Sequence, residues 1–145
     1  MSLDELLKPY PIQSRFPVHW GEMDSFSHVN NAVYLRYFES ARIAYFMEMG
    51  IVGPEVMNGI GPILASTSCK FIFPLTFPDD VVAGARVYEV GEDRFKMAYG
   101  VFSTRHQRIA AAGEGVIVPY DYKAGRKAAL PDAWAASIER IEGQP

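Results

Sequence analysis

Between Val18 and Arg42 the chain reads VHWGEMDSFSHVNNAVYLRYFESAR, and the side chains able to do chemistry crowd into its first half. Asp24, His28, Asn30 and Asn31 fall within eight residues, with Glu22 two positions before Asp24. A loop carboxylate can take a proton from water or attack an electrophile itself. The residues that follow, about Asn31 to Met49, read as a helix, and its first backbone N–H groups lack partners within the helix. A carboxylate just before that positive end is a candidate reaction centre. A plainer reading stands beside this one. Asp24 serves equally as a cap or turn former, His28 as a ring N–H holding the turn, and Asn30 and Asn31 as capping and bracing residues.

The helix itself is apolar on almost every side: Val33, Tyr34, Leu35, Tyr37, Phe38, Ala41, Ile43, Ala44, Tyr45, Phe46 and Met47 leave no wide polar face. Such a helix is expected to be surrounded by protein. It is too short and too charged for a membrane span, with Arg36, Glu39, Arg42 and Glu48 inside it. Arg36–Glu39 and Glu39–Arg42 have pairing distance along it, and Gly50 closes it.

Around the helix the chain supplies strands. Residues 1–14 read as an arm with a single helical turn, halted by Pro9 and Pro11. Phe16 to Trp20 reads as a first strand, with Val18 and Trp20 on one face. After an irregular connection with a short helical turn near Pro54 to Asn58, strands are expected at Ile63–Phe73, Val81–Val90, Phe95–Thr104 and Ile109–Tyr120. Polar turns of hairpin length separate the last three. Residues 123–145 form a tail with a short amphipathic helix from Pro131 to about Ile141. Strand, long helix, then four antiparallel strands define an α+β domain, a five-stranded sheet curled round one helix.

Composition excludes several classes. At 145 residues the chain fits one domain spanning 1–145. A formal net charge of −3 argues against nucleic acid or a membrane surface as partner. The single cysteine, Cys69, forms no internal disulfide, and three scattered histidines offer no metal cluster. The first residues lack the pattern of a signal peptide, so a cytoplasmic setting is expected.

The segment Trp20–Tyr34, WGEMDSFSHVNNAVY, followed by Tyr37-Phe-Glu-Ser-Ala-Arg42, resembles the hotdog-fold acyl-CoA thioesterases of the 4-hydroxybenzoyl-CoA thioesterase type. Phe73–Val81 and Gly125–Trp134 are similar to that family's later signatures, so the likeness spans roughly residues 15 to 135. Glu22 stands where the family usually has aspartate. Ser27 stands where it usually has glycine, which implies a slightly different loop path. The resemblance implies the hotdog fold, no metal or cofactor, and a homodimer or homotetramer with active sites at the dimer interface. It places the catalytic carboxylate at Asp24.

Thioester hydrolysis asks for a nucleophile or activated water and for donors to the oxyanion. Asp24 supplies the first in either role. Backbone N–H groups around Asn31 and Ala32 supply the second, with His28 as an assisting acid or hydrogen-bond donor. Asn30, Phe26, Tyr34 and Leu64 are the expected substrate-binding residues, on an acyl group that the sequence does not define. The favoured partner is an acyl-CoA. The alternatives are an acyl-carrier-protein thioesterase, a hotdog enoyl-CoA hydratase and a non-catalytic acyl-CoA-binding protein. Lys70, Arg94, Lys96, Arg105 and Arg108 are the candidate cations for the phosphates of CoA. Phe71, Phe73, Tyr99 and Phe102 are expected to need cover from a second subunit.

Overall fold

A computed structural model describes residues 1–54 and 59–143. The helical turn expected near Pro54 to Asn58 falls largely outside the described residues. In chain order the elements are α1 (Leu3–Leu7), β1 (Ile12–Pro17), a 3-10 turn (Trp20–Glu22), α2 (Asn31–Met49), β2 (Ile60–Phe71), β3 (Asp80–Tyr88), β4 (Phe95–Ser103), β5 (Arg108–Asp121), β6 (Arg126–Lys127) and α3 (Asp132–Glu142). All strand pairings are antiparallel, in the order β1-β3-β4-β5-β2, with β6 against β5. This is the α+β hotdog arrangement, one sheet curled about one long helix.

The sheet differs from expectation in two places. It has a sixth strand of two residues, β6, within the stretch expected to be tail. The first strand begins at Ile12 and stops at Pro17, so the arm contributes half of it. Trp20 does not continue that strand. The Glu22 carboxylate accepts the His19 N–H at 2.7 Å and closes a tight turn, leaving Trp20 exposed while Val18 is buried.

Helix α2 runs over the predicted span. Asn30 caps its start, with Oδ1 accepting the Ala32 N–H at 2.9 Å, and Gly50 ends it at φ 75°, in the left-handed region that suits glycine. Its buried face is Val33, Tyr34, Tyr37, Phe38, Ala41, Tyr45, Phe46 and Met49. The chain does not surround the helix as its composition implied. Leu35, Ile43 and Met47 remain exposed, because a single-layer sheet covers only one side. Of the two expected ion pairs along it, Glu39 with Arg42 forms loosely at 3.9 Å, and Arg36 makes none among the described residues.

Close approach of sheet to helix depends on Gly113 in β5. A Cβ there would stand 2.4 Å from both the Phe38 ring and the Ser68 carbonyl oxygen. On the opposite face of the sheet, α1 and Tyr10 pack over Val82 and Phe102. Phe102 is thus covered by the chain's own arm, and Tyr99 by stacking on Phe38 at 5.2 Å. Neither needs a second subunit for cover. Phe71 at the end of β2 does stay exposed. At the C-terminus Glu142 ties α3 down, accepting the Tyr45 hydroxyl at 2.6 Å and the Val87 N–H at 3.0 Å. No helix of the described residues is long and apolar enough to cross a membrane.

Candidate active site

The loop before α2 is a miniature hairpin. Asn30 N–H donates to the Glu22 carbonyl at 2.9 Å, Met23 bridges Val29, and Asp24 N–H donates to the His28 carbonyl at 2.9 Å. Ser27 N–H then closes the tip on the Asp24 carbonyl at 3.0 Å. Ser27 lies at φ 63°. That is the left-handed region glycine enters freely, so the serine adopts the conformation that a glycine would favour here. The Val29 N–H donates to the Leu75 carbonyl at 2.8 Å, fastening the far side of the hairpin to the segment after β2.

Glu22 locks the near side. Its Oε1 takes the Tyr37 hydroxyl at 3.0 Å in addition to the His19 N–H, joining the base of the loop to the second turn of α2. Burial pushes the Tyr37 hydroxyl far above the usual tyrosine range, and the neighbouring Glu22 carboxylate adds to the shift. It stays a proton donor at any ordinary pH. Glu22 is the brace of this loop.

Asp24, Phe26, His28, Asn30, Asn31 and Tyr34 line one cleft of about 550 Å³, with Phe71, Ile72, Phe73 and Pro74 as the opposite wall. Six of the seven sequence-nominated residues therefore meet in one place. Leu64 does not join them. It sits mid-way along β2 against Gly115, beside a bulge between Leu64 and Ser66 and well short of the Phe71 end that forms the wall. The wall residues were missed as a group because Ile63–Phe73 reads as strand throughout. In the structure β2 ends at Phe71, and Phe73 and Pro74 turn into the cleft.

Asp24 is exposed in the single chain, with Oδ1 accepting the Phe26 N–H at 2.9 Å and Oδ2 unengaged among the described residues. The carboxylate is thus oriented by one oxygen and free at the other. His28 holds the turn through its backbone carbonyl. Its ring, expected to do so, makes no hydrogen bond among the described residues. Of the two expected oxyanion donors, Ala32 N–H is consumed by the Asn30 cap. The Asn31 N–H has no partner among the described residues. Tyr34 braces the wall, donating to the Phe73 carbonyl at 3.3 Å and accepting the Leu75 N–H at 3.0 Å. Cys69 offers no rival nucleophile, since burial pushes its thiol up. No metal-holding group of His, Cys, Asp or Glu occurs among the described residues.

A curled sheet on one long helix is an arrangement shared with known proteins. Residues 18–138 match the thioesterase-like superfamily, and the chain belongs to it. It is 30% identical over 103 residues to an acyl-acyl carrier protein thioesterase of Arabidopsis thaliana chloroplasts. That match takes in 70% of this chain, which spans about half, 54%, of the plant protein's length. A crystal structure of a Thermus thermophilus thioesterase complexed with coenzyme A and Zn aligns over 95% of this chain and 99% of its own, with a TM-score of 0.81 and 30% identity. A 1,4-dihydroxy-2-naphthoyl-CoA thioesterase of Synechocystis gives a TM-score of 0.81 over 92% of this chain and 98% of its own. At 16% identity that likeness speaks for the fold alone.

Proposed function

We propose that this chain hydrolyses an acyl-CoA thioester to the free acid and CoA. The observation that carries the reading is the meeting, in one cleft, of the Asp24 carboxylate with the unpartnered Asn31 N–H at the start of α2. The thioester carbonyl oxygen accepts from that N–H as it gains negative charge, aided by the dipole of a 19-residue helix. Asp24 either removes the proton of an attacking water or attacks the carbonyl carbon itself. On both routes the C–S bond breaks and the thiolate leaves. On the second, water then cleaves the acyl–aspartyl anhydride. His28, in the lining of the same cleft, assists as an acid or hydrogen-bond donor. Asn30, Phe26 and Tyr34 bind the substrate, and a homodimer completes the site.

The acyl group is left open, aliphatic or aromatic, and CoA as the carrier is supported by the Thermus thermophilus thioesterase crystallised with coenzyme A. A second reading has its own support. The plant relative is named for acyl groups on acyl carrier protein, so the same chemistry on that carrier stands as the alternative. Release of free thiol from a panel of aromatic and aliphatic acyl-CoAs, alongside the matching acyl-carrier-protein thioesters, tests both. Turnover of CoA esters alone supports the main reading, and turnover of carrier-protein esters alone supports the second. Thiol release from neither overturns both and returns the hydratase and the non-catalytic acyl-CoA binder to first place.

A further inference from the structure

The aromatic wall of the cleft has a charged back. Phe73 lines the cleft, and the guanidinium carbon of Arg108 lies 4.3 Å from the centre of its ring. The His106 ring centre stands 5.0 Å from the same ring. A guanidinium on an aromatic face is held in orientation while its N–H donors stay free.

Partners and position together separate this cation from the others. Of the five cations the sequence offered for phosphate binding, Arg94 pairs with Asp93 at 3.0 Å and Lys96 with Glu89 at 2.6 Å. Both lie by the β3–β4 connection, at the far end of β4 from the β4–β5 hairpin. Arg105 donates its guanidinium to the Pro78 carbonyl at 3.2 Å, and Lys70 lines a different hollow with Tyr10 and Arg86. Arg108 is exposed and has no carboxylate partner among the described residues. The two acids that contact its hairpin, Asp79 and Asp80, are already engaged. Asp79 accepts the Ser103 hydroxyl and the Arg105 N–H, and Asp80 pairs with Arg15 at 3.5 Å. The hairpin itself, Ser103-Thr-Arg-His-Gln-Arg108, contains no acidic residue. On a chain of net charge −3 this is a local positive rim beside the cleft.

We propose that Arg108, seated on Phe73 and flanked by His106, receives a phosphate of the pantetheine carrier whose thioester enters the cleft. The planar guanidinium fork suits a phosphate, and its seat on Phe73 sets it beside the cleft rather than inside it, where the carrier and not the acyl group would reach it. The inference rests on the reading of the cleft as a thioesterase site. It makes Arg108 a specificity residue, distinguishing phosphate-bearing carriers from bare thiols.

The test compares one acyl group on CoA, on 4′-phosphopantetheine and on pantetheine, which has no phosphate. Arg108→Gln should lower the ratio of kcat/KM for the CoA ester to that for the pantetheine ester about tenfold, the size expected of a charge-assisted hydrogen bond. The change should fall mainly in KM, and Arg108→Lys should recover part of it. If the phosphopantetheine ester loses as much as the CoA ester, the contact is with the phosphate common to CoA and carrier protein. If only the CoA ester loses, the contact is with the nucleotide phosphates. An unchanged ratio in a variant that still hydrolyses all three overturns the assignment of Arg108 and leaves the thioesterase reading standing. If the natural chain hydrolyses none of them, that reading fails, and calorimetric titration with CoA decides the rest. Weaker CoA binding by Arg108→Gln would then still support the phosphate contact. Equal binding, or none by the natural chain, would overturn it.

Discussion

Asp24 stands out at the residue scale because one of its oxygens is fixed by the Phe26 N–H and the other is unengaged. An amide in its place keeps the shape and the first contact but can serve neither as base nor as nucleophile. Asp24→Asn should therefore lower turnover by at least about a hundredfold with the thermal midpoint little changed, within the ~10²–10⁴-fold range for a lost acid–base group. Near-normal thiol release from that folded variant would remove Asp24 from the chemistry. Glu22 acts differently, through Tyr37 and His19. Glu22→Ala strands the buried Tyr37 hydroxyl, which should cost about 1–3 kcal/mol of stability and lower kcat by loosening the loop. Glu22→Gln keeps a carbonyl oxygen for both donors and should recover most of each loss. Equal denaturation midpoints and kcat values for the alanine variant and the natural chain would show the brace to be idle. Asp24, His28 and the asparagines were legible in the sequence because they share one short loop. Phe73, Pro74 and the Glu22–Tyr37 bond were not, since each depends on contacts between distant segments.

Among the elements, α2 decides whether the site exists, and its first turn is set by one side chain. Asn30 Oδ1 holds the Ala32 N–H, which leaves Asn31 N–H as the outward donor. Asn30→Ala removes that cap and should destabilise the fold by about 1 kcal/mol, while Asn30→Asp retains an acceptor and should not. Because fraying of this turn displaces the Asn31 donor, kcat should fall with Asn30→Ala in excess of any change in KM. Thermal unfolding together with steady-state kinetics checks both. A stable Asn30→Ala variant with unaltered kcat would mean that the cap neither holds the turn nor positions the donor. The helix span was readable residue by residue, from continuous apolar sequence between an asparagine cap and a glycine stop. Strand ends were not. Trp20 looked like strand but is drawn into a turn by Glu22, and the arm's Ile12–Ser14 looked like coil but pairs with Gly84, Ala83 and Ala85 of β3. Pairing of this kind is fixed by the partner strand, which no local pattern reports.

For the whole molecule the open question is what lies against β2. It is an outer strand of 12 residues, and the run Leu64–Ser68 is exposed. A strand of that length with free backbone N–H and C=O groups is a template for another strand. Only the bulge at Leu64/Ser66 and Pro62 interrupt it. The same edge ends at Phe71, which forms the cleft wall and is 47% exposed, across from Phe26 at 80%. Pairing β2 with β2 of a second copy would extend the sheet, cover these rings and bring the partner against the Asp24 cleft. The expected state is therefore a homodimer at micromolar concentration, with two such dimers able to associate through exposed Leu35, Ile43 and Met47 on α2. Light scattering gives the mass directly. Dilution supplies the functional half: specific activity should fall in step with dissociation, because an isolated copy leaves its cleft open to water on the β2 side. A monomer with full activity at every concentration would contradict both the pairing and the shared site. A dimer whose activity ignores dilution through its dissociation range would keep the pairing and refute the sharing.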